Sequence, residues 1–476
     1  MKRLAATFLF LLIYIAAVRG QGYQPIIEST ACLVKYDARL IVKSGYLVVP
    51  ENRQRPQGRK VKVPFLFVRK PEQDARRNIS LFSTGGPGYS TTANIDSIGY
   101  KSGLLKYGAT ILFDQRGTKR AQPCLDCPEV YEAIKRSYRT GLSQDSLAEA
   151  AAKECRKKLT SQGINLSAYN TVESAEDIND LRRALQLDSL NLIGVSYSGG
   201  LMLTVVRNHP EAVRSLVLNS PLPGYVHYEE EALLNINEAL EQVFADVAAD
   251  PAYANLRSRF HAYFTAITGK KFKLKYLEKG ARDSLTITYT KHELLGAIVD
   301  RLNGNQVKTL PVVINDLLRG RHRAYVQEQL DGVFAGNSAE SLGMRYSVYC
   351  TEQIAYADPG LEAAQEKTVP WLAGYRFNNV NHAICACWQV KPEPKLVKTP
   401  VYSAVPALIV AGDIDPWCRP FYNQLIKRYM PNSQLLLQHG WGHTPGFKAE
   451  NVDYVELFLA HPYQKLISRS KDLLIE

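Results

Sequence analysis

Past its first twenty residues, the 476-residue chain has no apolar run near the ~20 residues that cross a bilayer. It has no internal repeat and no low-complexity tract, so repeat architectures are excluded. It also lacks a concentrated block of one charge. The net charge is +12, but the basic residues are scattered over 53–62, 270–279 and 319–323. Only the second cluster carries interleaved aromatics, Phe272 and Tyr276. Such clusters read as solvated faces, not as a nucleic-acid groove. Cys124-x-x-Cys127 has no thioredoxin-like pattern around it, and His382, Cys385 and Cys387 make a poor metal set. What is present is ordinary for a globular protein: 46% hydrophobic and 22% charged residues, in a chain long enough for a large domain with an insertion.

The N-terminus reads as a targeting segment. Lys2 and Arg3 form a charged start, residues 4–18 an apolar run, and small residues follow around 16–20. This predicts a signal peptide over 1–20 and an exported, periplasmic or secreted protein with no membrane insertion after cleavage. No cysteine follows the apolar run closely, so a lipid anchor is not indicated. Eight cysteines suit an oxidising compartment, and structural bridges are the expectation for them.

The chain is organised around residues 189–200, SLNLIGVSYSGG. The apolar run 190–195 predicts a strand buried on both faces. A turn with Ser196 at its apex follows, and then a helix over 201–207. Strand, sharp turn and helix lift such a serine clear of a sheet, provided that small residues flank it. The last position of G-x-S-x-G is Ser198 here, with Gly199 and Gly200 behind it. Strands are expected at 40–49, 61–68, 79–83, 109–113 and 213–218, with helix in 124–155 and a crossover helix at 173–187. Strand–helix–strand order implies a parallel sheet with right-handed crossovers. The glycine-dense loop after 79–83, Thr84 to Gly88, lets a backbone amide approach a ligand closely. From 224 to 398 the chain turns mainly helical, with helices at 229–248, 292–303 and 310–318 and one possible hairpin in 274–289. Strands resume at 406–411 and 435–437, and a helix at 452–459 closes the chain.

Two acids follow the strand at 406–411, Asp413 and Asp415. His443 lies in a glycine-flanked loop after the strand at 435–437, with His439 just before it. A serine hydroxyl is a poor nucleophile until a base takes its proton, and that base needs an acid to set its tautomer. Ser196, one of the two acids and His443 could meet that need without metal or organic cofactor. Ser…Asp…His is also the chain order of one large hydrolase class.

Taken together, the motifs resemble the exported proline iminopeptidase and tripeptidyl-aminopeptidase branch of the α/β-hydrolase superfamily. They are Gly85-Gly86-Pro87-Gly88-Tyr89-Ser90, Asp114-Gln115-Arg116-Gly117, Gly194-Val195-Ser196-Tyr197, Gly412-Asp413-Ile414-Asp415-Pro416 and Gly442-His443. Tyr46 to Pro50 and Val348 to Glu352 extend the resemblance over most of the chain after residue 20. The chain departs from that pattern at Ser83-Thr84, at Thr118-Lys119-Arg120 and at Trp417-Cys418. The resemblance implies an α/β-hydrolase fold: a mostly parallel central sheet flanked by helices, with a large, mainly helical lid inserted before the last two strands. The implied division is core over 21–223, lid over 224–398 and core again over 399–476. The family spacing favours Asp415 over Asp413 as the acid. The amides of Gly86 and Tyr197 would form the oxyanion hole.

Aminopeptidase action on peptides with a free N-terminus is the implied activity. Such an enzyme needs an anion for the substrate's ammonium group. Glu352 is the candidate, held by a bridge from Cys350 to Cys385 or Cys387. Glu229, Glu230 and Glu231 read as a solvated face. An esterase or lipase-like hydrolase on the same fold is the alternative, and a non-catalytic binding protein a distant third. Dehalogenase and epoxide hydrolase chemistry is excluded, because both need an acid where Ser196 stands. The sequence is silent on oligomeric state.

Overall fold

The computed structural model describes residues 23–32 and 34–476; the expected signal peptide lies outside them. A ten-stranded sheet forms the core. Its strands are β1 (Ile26–Ser29), β2 (Ile41–Pro50), β3 (Lys60–Arg69), β4 (Ser80–Ser83), β5 (Thr110–Phe113), β6 (Leu190–Val195), β7 (Val213–Asn219), β8 (Ala407–Gly412), β9 (Ser433–Gln438) and β10 (Leu473–Ile475). Their spatial order is β1-β2-β3-β5-β4-β6-β7-β8-β9-β10. From β5 to β9 all neighbours are parallel. The β1–β2–β3 edge is antiparallel, and so is the pairing of β9 with β10. The final strand β10 lies beyond the helix at Tyr454–Ala460, where the sequence reading ended the chain, so three sheet strands follow the insertion.

The hydrophobic pattern explains this layout. Strand β8, ALIVAG, is buried along its whole length because it has parallel neighbours on both sides and helices on both faces. Crossover helix α1 (Thr171–Ala184) starts on Asn170, whose side chain accepts the Glu173 N–H at 2.8 Å. Its polar face is tied down by buried charge. Arg116 is fully buried and donates to Asp177 through Nε at 2.8 Å and Nη2 at 2.6 Å, and through Nη1 to the Glu51 carbonyl at 2.6 Å. This guanidinium clamps α1 against the sheet.

Between β7 and β8 the chain adds nothing to the large sheet. This stretch is mainly helical, with one antiparallel hairpin, Phe272–Tyr276 with Leu285–Tyr289. Residues from Leu233 to Phe334 build an apolar core of their own, which also takes in Ile414 from the loop after β8. Residues such as Leu342, Tyr346 and Trp388 pack instead into the core of the sheet. The insertion thus arches over the sheet and is also rooted in it. Its contacts fall on loops at the C-terminal ends of the strands. Ser341 N–H donates to Gly88 O at 2.9 Å, and His443 N–H to Leu302 O at 2.9 Å.

Two disulfides form, Cys127–Cys155 and Cys350–Cys385. Both weaker readings of the cysteines lapse, since Cys127 pairs with Cys155 and not Cys124, and Cys385 is taken by Cys350. Cys32, Cys124, Cys387 and Cys418 are free thiols, so the expected structural bridges take up four of the eight cysteines. Among the described residues no helix is long and apolar enough to cross a membrane.

Candidate active site

Strand β6 delivers Ser196 onto a strained turn at the start of helix α2 (Tyr197–Asn208). Its φ of 54° and ψ of −125° are sparsely populated for a residue with a side chain. The crowding around it explains the small neighbours. A Cβ on Gly199 would lie 2.4 Å from Pro221 Cβ, and one on Gly200 would lie 2.4 Å from Leu222 O. Ser198 stands where glycine is usual, and the structure accommodates its hydroxyl. Oγ accepts the Val195 N–H at 2.8 Å and donates to Ser83 O at 2.7 Å, joining the ends of β6 and β4.

The two acids sort to different histidines. Asp415 is fully buried in the loop after β8. Its Oδ1 accepts the N–H groups of Trp417 and Cys418, both at 2.9 Å, and its Oδ2 meets His443 Nδ1 at 2.8 Å. Burial alone would raise its pKa, but the His443 ring, the Cys418 N–H and the Ser220 hydroxyl hold the carboxyl below the usual value. Asp413 pairs with His439 at the surface and accepts the Gly440 N–H at 2.9 Å. The His443 loop is pinned from above by the insertion. A Cβ on Gly442 would lie 2.2 Å from Leu302 O, and Gly304 N–H donates to His443 O at 2.7 Å.

The Cys418 thiol lies near both Ser196 and the Asp415–His443 pair. Its Sγ is 4.0 Å from Ser196 Oγ, and it lies with an Asp415 oxygen and a His443 ring nitrogen in a cluster spanning at most 4.8 Å. Burial and the Asp415 charge hold the thiol pKa well above its usual value, so Cys418 stays protonated. Ser196 and His443 are each only partly buried, which leaves them reachable.

Loop 84–88 packs directly on the turn. A Cβ on Gly85 would lie 2.5 Å from Val195 O and 3.2 Å from Ser196 Cβ. Gly86 has φ +116°, a conformation that favours glycine. Among the described residues neither the Gly86 nor the Tyr197 N–H donates to a protein acceptor. Tyr197 opens a helix, where amides have no intrahelical partner. The DQRG motif braces this loop from below. Gln115 Nε2 donates to Thr84 O at 2.9 Å, and buried Asp114 accepts from Thr92 N, Thr92 Oγ1 and Ser90 Oγ. From above, Arg345 Nη1 donates to Gly86 O at 3.3 Å. Arg345 also bonds Asn378 and Asn379 and lies over the Tyr349 ring.

Glu352 ends helix α3 (Leu342–Glu352) and is 4% exposed. It lines a narrow pocket with Pro87, Thr171, Tyr197, Tyr349 and Glu393. Burial and the neighbouring Glu393 carboxylate raise its pKa, and burial raises that of Glu393. The run 229–231 departs from a solvated face, because each of the three is only partly exposed and bonded. Glu229 accepts from Asn378 Nδ2 at 3.3 Å, and burial pushes it up to about 7. Glu230 accepts the Asp358 N–H at 2.8 Å, and Glu231 bonds the Tyr422 hydroxyl. Arg345 and the thiol of Cys418 were given no role from sequence, and Glu229 was read as solvated. The only available signal was the departure at Trp417-Cys418.

The alpha/beta hydrolase fold family matches residues 85–449, from the loop beside Ser196 to just past His443. The chain belongs to the α/β-hydrolase fold family. Tripeptidyl aminopeptidase of Streptomyces lividans is 26% identical over 201 residues. That match covers 40% of this chain and 37% of the relative, so it spans little more than a third of that protein's length. Serine protease Hip1 of Mycobacterium tuberculosis is 22% identical over 455 residues, 87% of this chain and 84% of the relative. A solved α/β hydrolase from a Medee basin deep-sea metagenome library is 12% identical with a TM-score of 0.36, covering 87% of this chain and 99% of that one.

Proposed function

We propose that this α/β hydrolase is an exported serine aminopeptidase that cleaves peptide bonds near a free N-terminus. The observation that carries the reading is the 2.8 Å Asp415–His443 pair beside the Cys418 thiol, whose sulfur lies 4.0 Å from the hydroxyl of the strained Ser196. In this reading His443 takes the Ser196 proton as Oγ attacks the scissile carbonyl. Asp415 keeps the proton of the resting imidazole on Nδ1, leaving Nε2 free to accept, and stabilises the charged ring. The amides of Gly86 and Tyr197 bind the oxyanion. The tetrahedral intermediate collapses to an acyl-enzyme as His443 protonates the leaving amine, and water then repeats the sequence to release the acid.

Two carboxylates are the candidates to hold the substrate's ammonium. Glu352 opens onto the pocket beside Tyr197, and Glu229 lies near Arg345 and Tyr349. An incoming cation would favour ionisation of either one. The resemblance to tripeptidyl aminopeptidase and to serine protease Hip1 supports peptidase action, and the two disulfides with the N-terminal leader support export.

The test is a panel of aminoacyl and tripeptidyl coumarins with free and acylated N-termini. Free-amine substrates should be turned over with much the higher kcat/KM. Glu352→Gln should raise KM for those alone, and Glu229→Gln tests the other carboxylate in the same way. Equal turnover of blocked and free substrates would refute the aminopeptidase reading and leave an esterase-like hydrolase.

A further inference from the structure

Cys418 has a side chain that hydrolysis does not use. Its backbone N–H orients Asp415, and any residue other than proline would supply that amide. The sulfur nonetheless sits in the middle of the site, 4.0 Å from Ser196 Oγ, and no disulfide occupies it. One oxygen of Asp415, Sγ of Cys418 and one ring nitrogen of His443 lie within 4.8 Å of one another.

That donor set is one that soft-to-borderline cations prefer. A zinc ion holds thiolate sulfur at about 2.3 Å and imidazole nitrogen and carboxylate oxygen at about 2.0–2.2 Å, so tetrahedral donors stand roughly 3.3–3.6 Å apart. Closing from the present spacing takes about 1 Å, within reach of side-chain rotations of Cys418 and His443. Charge balances as well. One carboxylate and one thiolate neutralise a dication, so the buried site ends with no net charge. Ser196 Oγ or a water can fill the fourth position.

We propose that Asp415, Cys418 and His443 form an inhibitory site for a thiophilic divalent cation, with Zn²⁺ as the type. Binding replaces the S–H bond of Cys418 with an S–Zn bond and releases that proton to solvent. The cation also takes a lone pair of the His443 ring, and the ring can no longer accept the Ser196 proton. No bond to substrate and no change of oxidation state is involved. Hard cations such as Mg²⁺ and Ca²⁺ prefer all-oxygen shells and should not inhibit.

The inference builds on the proposed roles of Ser196 and His443, so its test has a readout that needs no turnover. Protein dialysed against EDTA is titrated with Co²⁺, which replaces Zn²⁺ and gives a thiolate charge-transfer band. The band should appear in the parent protein and in Ser196→Ala, be displaced by Zn²⁺ and be lost in Cys418→Val. In parallel, Zn²⁺ should slow labelling of Ser196 by a fluorophosphonate, and EDTA should restore it. Each variant is compared with its own metal-free rate. Losing an outer-shell partner costs about 10–100-fold in metal affinity, so losing the thiolate itself should weaken inhibition at least 100-fold. Cys418→Ser serves as a second variant should the valine protein fail to fold. Absence of the band in the parent, its persistence undiminished in both Cys418 variants, or equal Zn²⁺ inhibition of those variants and the parent overturns the proposal. If metal-free protein is not labelled at all, the nucleophile assignment fails, while the cobalt band still decides the metal site.

Discussion

Replacing Asp415 with asparagine isolates what the acid does, because the structure dictates how the amide must sit. Oδ1 of Asp415 accepts two backbone N–H groups, from Trp417 and Cys418, in a fully buried position. An asparagine that turned its NH₂ toward them would leave two buried donors facing donors, at about 1–3 kcal/mol each. The carbonyl therefore stays on those amides and the NH₂ faces His443 Nδ1. That nitrogen must then accept, which moves the ring proton to Nε2, the nitrogen that takes the Ser196 proton in the proposed mechanism. Loss of the correct tautomer in such a triad costs about 10⁴ in kcat, or about 5.5 kcal/mol of transition-state stabilisation. Asp413→Asn is the internal control: its partner His439 is at the surface, and kcat should change by no more than about threefold. The assay is kcat on a coumarin peptide, together with the rate of fluorophosphonate labelling. Near-normal turnover in Asp415→Asn, with collapse in Asp413→Asn, would refute the assignment of the acid.

Other perturbations have equally definite outcomes. Gly86→Ala puts a methyl 2.3 Å from the Tyr89 ring at a φ of +116°, so loop 84–88 must move, and kcat should fall about 10²–10³-fold in steady-state assays. Arg345→Met removes the donor that holds Gly86 O; kcat should drop about tenfold or more with little change in KM, and Arg345→Lys should restore part of it. Cys350→Ser opens the bridge to Cys385 and should cost about 2–4 kcal/mol, measured by urea unfolding. Glu229 has its pKa raised by burial from 4.5 to about 7, so it contributes stability that is fully present below pH 4.5 and is lost as pH rises through about 7. Glu229→Gln should remove that part of the decline in a pH series of thermal melts.

Much of this protein was legible without coordinates, because its informative residues lie in short contiguous stretches. The 190–208 strand–turn–helix unit, the glycine loop at 84–88 and the ends of β8 and β9 each carry a local steric or hydrogen-bonding requirement. Such requirements act on neighbours in the chain and so leave a pattern in it. The helix at Leu310–Leu318 and the hairpin after Phe272 were readable for the same reason. The antiparallel strand Leu473–Ile475 was not, since three residues are too few for a period and only pairing with β9 makes them a strand.

What contacts across the fold decided is of another kind. Asp413 and Asp415 are two residues apart and chemically identical, and only the path of the loop after β9 gives each its own histidine. Cys385 and Cys387 were equivalent until helix packing set one of them opposite Cys350. Glu229 read as solvated because a run of three acids usually is, but the insertion folds over it and strips water from its carboxyl. The sulfur of Cys418 meets the hydroxyl of Ser196 across 222 positions of sequence. Sequence thus determined the local shapes, which depend on the backbone and its nearest side chains. Tertiary structure decided the pairings, because burial and charge depend on whatever distant chain arrives alongside.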